Sequence, residues 1–222
     1  MRRGSRARYA ALDALVDSIV AADIGDTFNQ YRMGGGADAD PCAAPRIRAA
    51  NLRAYLRTRS HARVLGVAEA AGWRGARYSG IPLFSERMID EAASPYRRTS
   101  TQPRGFAEPS ASIVQGVLRE GGWGDDVILW NVVPTHPAGP SPHSNRPPRS
   151  AEIAAGREML MQLLNVLRPR HVVAIGRTAA AALPSGLSET EVRHPAQSGA
   201  SLHRRQLRAL LEEWLGRPQA EG

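Results

Sequence analysis

Val64-Leu65-Gly66-Val67-Ala68-Glu69-Ala70-Ala71-Gly72 is a short apolar run that ends in small residues and carries one carboxylate. A run of this length bounded by turn residues reads as a buried strand of a parallel sheet. The chain repeats the arrangement twice. Val127-Ile128-Leu129-Trp130-Asn131-Val132-Val133-Pro134 leads into a loop rich in Pro, Ser and Asn up to Ser150, and Val192-Arg193-His194-Pro195-Ala196-Gln197-Ser198-Gly199 is the third unit. Each is expected to place one polar group just past a strand end: Glu69, Asn131 and His194. In an open parallel sheet the carboxyl ends of the strands share one edge, and ligands bind in the crevice there. A carboxylate, an amide and an imidazole meeting in such a crevice can polarise water, read a base and hold an anion.

Working outward, strands are expected at Arg63–Val67, Asp126–Asn131, Arg170–Ile175 and Glu191–Arg193. Helices are expected at Tyr9–Ala22, Ile47–Thr58, Ser110–Glu120 with Ser110 as its cap, Ser150–Leu167 with Ser150 as its cap, and Leu202–Leu215, where Leu207, Leu210, Leu211 and Trp214 share a face. A short alanine-rich helix opens at Gly176-Arg177. Strands alternating with helices give an α/β fold, one domain with a central, mainly parallel four-stranded sheet flanked by helices. That domain spans 1–222, with 1–28 as N-terminal helix and lead-in and 216–222 as a flexible tail. Asp90–Pro109 is polar, contains Pro95, Pro103 and Pro109, and reads as a surface loop ordered only on binding. Gly34-Gly35-Gly36 lacks the Gly-Lys-Ser/Thr of a phosphate loop.

The 222 residues suffice for one well-buried core. No apolar run is long enough to span a bilayer, and Met1–Ser5 lacks the apolar core of a signal peptide. One cysteine, Cys42, precludes an internal disulfide, and with it a cysteine-held iron–sulfur or zinc site within one chain. His136 and His143 match no metal spacing, so neither metal nor cofactor is expected. The anticipated location is the bacterial cytoplasm, and the anticipated state is a monomer. Net charge is +8, and all 29 basic residues are arginine. A codon bias toward arginine explains that choice, yet guanidinium groups fork onto phosphate and excess positive charge draws a chain to polyanions.

In order and spacing these three segments resemble the uracil-DNA glycosylase superfamily, from about Asn29 to Leu207. Glu69 stands where some branches carry Gly-Glu-Ala-Pro-Gly, with Ala68 for Gly and Ala71 for Pro. The Asn131 strand is similar to the one bearing the base-reading Asn, and His194-Pro195 to the His-Pro-Ser segment. With one cysteine the chain falls among the cluster-free branches. The resemblance implies a DNA glycosylase that flips a base out of the stack. Glu69 would orient or deprotonate water and His194 would donate to O2 of the leaving base. Asn131 would read the pyrimidine edge. Gln197–Ser201 would press into the minor groove, with Ser198, Arg193, Arg204 and Arg205 gripping phosphate. Glu86 is a reserve for Glu69, although the start of a helix explains it as well. A glycosylase that also cuts the strand uses an amine nucleophile; without lysine the enzyme is expected to be monofunctional.

One departure bears on the substrate. Relatives with Gly-Ile-Pro continue with Phe, which stacks on the flipped base, whereas Pro82 is followed by Leu83 and only then Phe84. Either Phe84 turns inward, or Tyr78 takes over the stacking, or the pocket is wider than a uracil pocket. The reading leans toward a modified cytosine, hydroxymethylated or glucosylated as in phage DNA, ahead of uracil in repair. Two other classes remain: a module that binds damaged single- or double-stranded DNA without cutting it, and a free-nucleoside hydrolase, which would need no arginine-rich rim.

Overall fold

A computed structural model describes residues 3–91, 94–141, 143–184, 186–187, 190–196 and 198–216. Four strands, β1 (Val64–Ala70), β2 (Val127–Val133), β3 (His171–Ile175) and β4 (Thr190–Val192), form one sheet in the order β2-β1-β3-β4. Every pairing is parallel, and Val64 sits opposite Val127 on one side and His171 on the other. From β1 the chain continues to β2 on one flank; from β3 it continues to β4 on the other. The loops after the two central strands therefore diverge and open a crevice at the carboxyl edge.

Two strands run further than expected. Ala68 pairs with Asn131 and Ala70 with Val133, so the ladder continues through Glu69 and Asn131. Val132 and Val133 are β-branched and buried, which favours the extended chain there. Glu69 and Asn131 thus stand inside strands, near their ends. Of the three polar groups, only His194 lies past its strand.

The helices are α1 (Arg3–Ala21), α2 (Ala44–Thr58), α3 (Ala76–Ser79), α4 (Arg87–Glu91), α5 (Pro109–Glu120), α6 (Ser150–Leu167), α7 (Arg177–Ala182) and α8 (Ala200–Leu215). Leu12, Leu15, Val16 and Ile19 form the buried stripe of α1, at the spacing one helical face requires. With α2 and α6 it covers the sheet face of Leu65, Val67, Ile128 and Trp130. The opposite face, with Val64, Val127, Leu129 and Val173, packs on α5 and α8 through Val114, Leu118, Leu207 and Leu211. Alternate residues of each strand feed alternate layers. β2 is an edge strand; the Tyr55 hydroxyl of α2 accepts the Leu129 N–H at 2.7 Å.

Local details correct three expectations. Ser110 is not a cap: α5 begins at Pro109, whose fixed φ suits a first helical turn, and Glu108 precedes it in extended conformation. Ser150 is already helical; the Glu152 carboxylate accepts the N–H of Arg149, the residue before α6, at 2.8 Å. The segment beyond α4 is not a loose loop. Glu86 is fully buried, and its Oε1 accepts the N–H groups of Thr99 at 2.7 Å and Ser100 at 3.0 Å, while Oε2 takes the Ser100 hydroxyl. That role in anchoring the chain removes Glu86 as a reserve for Glu69. Past Gly216, the expected tail lies outside the described residues.

Candidate active site

A cleft of about 510 Å³ opens at the carboxyl edge of the sheet. Its floor is the end of β1, including Ala68 and Glu69, together with Ile175-Gly176 after β3. The loop after β4 contributes Arg193 and His194, and α7 contributes Arg177. Leu83, Glu108 and the Asn145–Pro147 part of the loop after β2 complete the wall. A concave site with a few convergent polar groups is the usual form of a small-molecule pocket.

Glu69 and His194 meet here. Both are half-buried. Burial pushes the His194 imidazole below its usual range, and the Glu69 carboxylate partly offsets that by favouring the cation. His194 Nδ1 accepts the Ala196 N–H at 3.2 Å. In the neutral ring the proton is therefore on Nε2, which leaves Nε2–H free to donate. The loop is held in place from two sides. His203, buried on α8, donates Nδ1–H to the Arg193 carbonyl at 2.8 Å, and the Arg193 N–H donates to Gln206 Oε1 at 2.8 Å. Gly176 has φ +91°, and a Cβ there would lie 3.1 Å from the His194 Cβ, so glycine lets the histidine close over the end of β3.

Asn131 does not itself line the cleft: it is buried, only 2% exposed, with an amide oxygen that has no protein partner. It shares a sheet face with Ala68 opposite it. An unpaired buried acceptor costs about 1–3 kcal/mol, and such costs concentrate at functional sites.

Leu83 lines the cleft at φ +48°. The Ser79 hydroxyl donates to the Phe84 carbonyl at 2.7 Å and accepts the Ile81 N–H at 3.1 Å, which fixes the turn. Phe84 points away and meets Tyr96 edge-on, ring centres 5.6 Å apart. Tyr78 is also withdrawn: buried, stacked on Phe106 at 4.2 Å, with the Arg77 guanidinium 4.7 Å from its ring. Neither aromatic lines the cleft.

Among the expected phosphate contacts, Arg193, Ser198, Arg204 and Arg205 are exposed around the start of α8, and Ser198 sits in left-handed backbone at φ +61°. Gln197 lies outside the described residues. His143 stacks on Trp73 at the rim, ring centres 5.2 Å apart. His136 donates Nδ1–H to the Ala71 carbonyl at 2.9 Å and so fixes the turn after β1; burial lowers its pKa to about 4. Three cleft residues escaped the sequence reading. Arg146 is clamped by both oxygens of Glu152 at 2.8 and 2.6 Å. In sequence Arg177 marks only a helix start, and Glu108 falls in a polar stretch with the pattern of a surface loop.

A model of the uracil DNA glycosylase superfamily matches residues 89–215, more than half of the chain, and the chain belongs to that superfamily. The match includes Asn131 and His194 but begins after Glu69 and Leu83. Among solved structures, the crystal structure of wild-type SMUG2 from Pedobacter heparinus shares the fold, with a TM-score of 0.61 at 13% identity over 90% of this chain and 97% of that one. No curated protein matches. Family and fold are those of DNA glycosylases, and no helix among the described residues is long and apolar enough to cross a membrane.

Proposed function

We propose that the chain is a monofunctional DNA glycosylase that flips out a pyrimidine and hydrolyses its glycosidic bond, leaving an abasic site. The observation that carries this reading is the pairing of Glu69 and His194 in one cleft, with the imidazole Nε2–H left available as a donor. As the C1′–N1 bond breaks, its electron pair moves onto the base and reaches O2, where His194 Nε2–H donates more strongly as charge builds. Positive charge on the sugar is favoured by the Glu69 carboxylate. Water held by Glu69 attacks C1′ and gives its proton to that carboxylate. Asn131 reads the base edge, and Arg193, Ser198, Arg204 and Arg205 hold the backbone.

The substrate proposed is a cytosine with a substituent, of the hydroxymethylated or glucosylated kind found in phage DNA. Its support is Leu83 in the wall, where an aromatic ring would favour flat uracil, with Tyr78 buried and Phe84 turned away from the cleft against Tyr96. Mass spectrometry of bases released from uracil-containing, plain and phage-modified DNA tests both levels. Release of uracil alone would return the enzyme to ordinary repair; DNA binding with no release would make it a damage-recognition module. The absence of lysine leads us to expect intact strands with abasic sites and no protein–DNA adduct on borohydride treatment.

A further inference from the structure

Glu108 is one of two carboxyls lining the cleft that the mechanism above does not use on either reactant; the other, Glu191 on β4, is exposed. Glu108 immediately precedes α5, where Pro109 fixes the chain, and its own N–H is tied to the Ser85 hydroxyl at 2.8 Å. Its side chain presses on the turn after β1. A Cβ at Gly72 would lie 2.3 Å from Oε1, and one at Gly75 would lie 1.9 Å from Oε2. Two glycines thus form a cradle that this carboxyl fills. Burial, rather than a neighbouring charge, pushes it up to about 7. The charged groups that share the cleft are Glu69 on β1, Glu191 on β4, Arg193 and His194 after it, Arg177 on α7 and Arg146 after β2.

We propose that Glu108 reads the flipped base as a neutral acid and serves as its proton donor, which selects a base of cytosine type. This inference rests on the glycosylase reading and deepens it. A carboxylic acid has one donor and one acceptor side by side. Cytosine offers N3 as acceptor and the N4 amino group as donor, so both atoms of the acid are satisfied at once, and this inference gives that edge to Glu108, which lines the cleft, rather than to the buried Asn131. His194 enters from the β4 side toward O2, whereas Glu108 lies against the turn after β1, which suits it to the opposite edge. When the C1′–N1 bond breaks, the electron pair passes into the ring and the Glu108 proton goes to N3. Glu69 takes the proton from the attacking water. Product leaves as the neutral base, and solvent carries a proton from Glu69 back to Glu108. Uracil, protonated at N3, offers no such basic acceptor.

The test combines single-turnover excision from about pH 5 to 9 with ¹³C NMR of glutamate carboxyls, using the full chain and E108Q. Duplexes carry deoxyuridine, 5-hydroxymethyldeoxycytidine or its glucosylated form. In the wild type we expect one carboxyl to titrate near neutrality and to shift when free cytosine is added, and that resonance to be missing from E108Q. Excision of the cytosine-type base should fall about tenfold per pH unit above the titration, while E108Q should be about 10²-fold slower and flat over the same range. Wild-type rate and pH profile in E108Q would overturn the inference and leave the glycosylase reading intact. Excision confined to deoxyuridine would do the same. No release from any duplex by the wild type would bring down the reading itself, and this inference with it. Should E108Q not fold, E108D replaces it, and a wild-type carboxyl resonance indifferent to cytosine is then the overturning result.

Discussion

In the proposed mechanism Glu69 and His194 divide the work at the level of single side chains, Glu69 acting toward the sugar and His194 toward the leaving base. Glu69→Ala should lower single-turnover excision by about 10²–10⁴-fold while DNA affinity measured in parallel stays within a few-fold. His194→Ala should cost about 10²–10³-fold, the usual loss for one donor aimed at developing negative charge. Equal losses in binding would mean that these residues hold DNA rather than act on the bond. Asn131 is a different case. Its unpartnered oxygen is a cost the fold accepts, so Asn131→Leu should leave the protein as stable or more stable while base recognition suffers. Thermal unfolding alongside excision separates the two effects.

At the level of elements, the turn from Gly80 to Glu86 sets the shape of the wall. Leu83→Phe places a ring in that wall, and stacking is worth about 1–3 kcal/mol per base. The ratio of uracil to modified-cytosine excision should therefore rise by about tenfold or more; an unchanged ratio would show that this wall does not contact the base. On α8, Arg204→Ala and Arg205→Ala should each reduce the log–log salt slope of DNA binding by about 1 if each meets one phosphate. The existence of the four strands and the long helices was legible from apolar period and punctuation. Their ends were not, because Ala68–Ala70 and Asn131–Val133 extend one another across the ladder, a partnership that no single segment reveals. Glu69 and His194 were legible through their segments. The turn of Phe84 away from the cleft was not, since it depends on hydrogen bonds made by the Ser79 hydroxyl. Glu108 was hidden for a related reason: its setting is made by Gly72 and Gly75, far off in sequence.

For the whole molecule, buried titratable groups give stability a definite pH dependence. His136 has its pKa lowered to about 4 in the fold, against about 6.5 for a free imidazole. Between those values the unfolded chain binds a proton that the folded protein does not, so stability is lost as pH falls through that window. His194 and His203, also lowered by burial, act in the same direction. Glu108, raised to about 7, acts oppositely: its contribution is full at low pH and is lost as pH rises from about 4.5 toward 7. Denaturation at a series of pH values should show His136→Asn losing less stability on acidification than the wild type. The order of the sheet has a consequence for how the protein is made. β1 needs β2 on one flank and β3 on the other, and β3 begins only at His171. During synthesis, β1 and β2 leave the ribosome long before the strand that completes their pairing, and the last wall of the cleft follows later still. Parallel pairings of such long range form slowly and leave strand edges open meanwhile. By this argument a pause in synthesis between α6 and β3 should leave the nascent chain most exposed to aggregation, and the solubility of ribosome-stalled chains of graded length checks it.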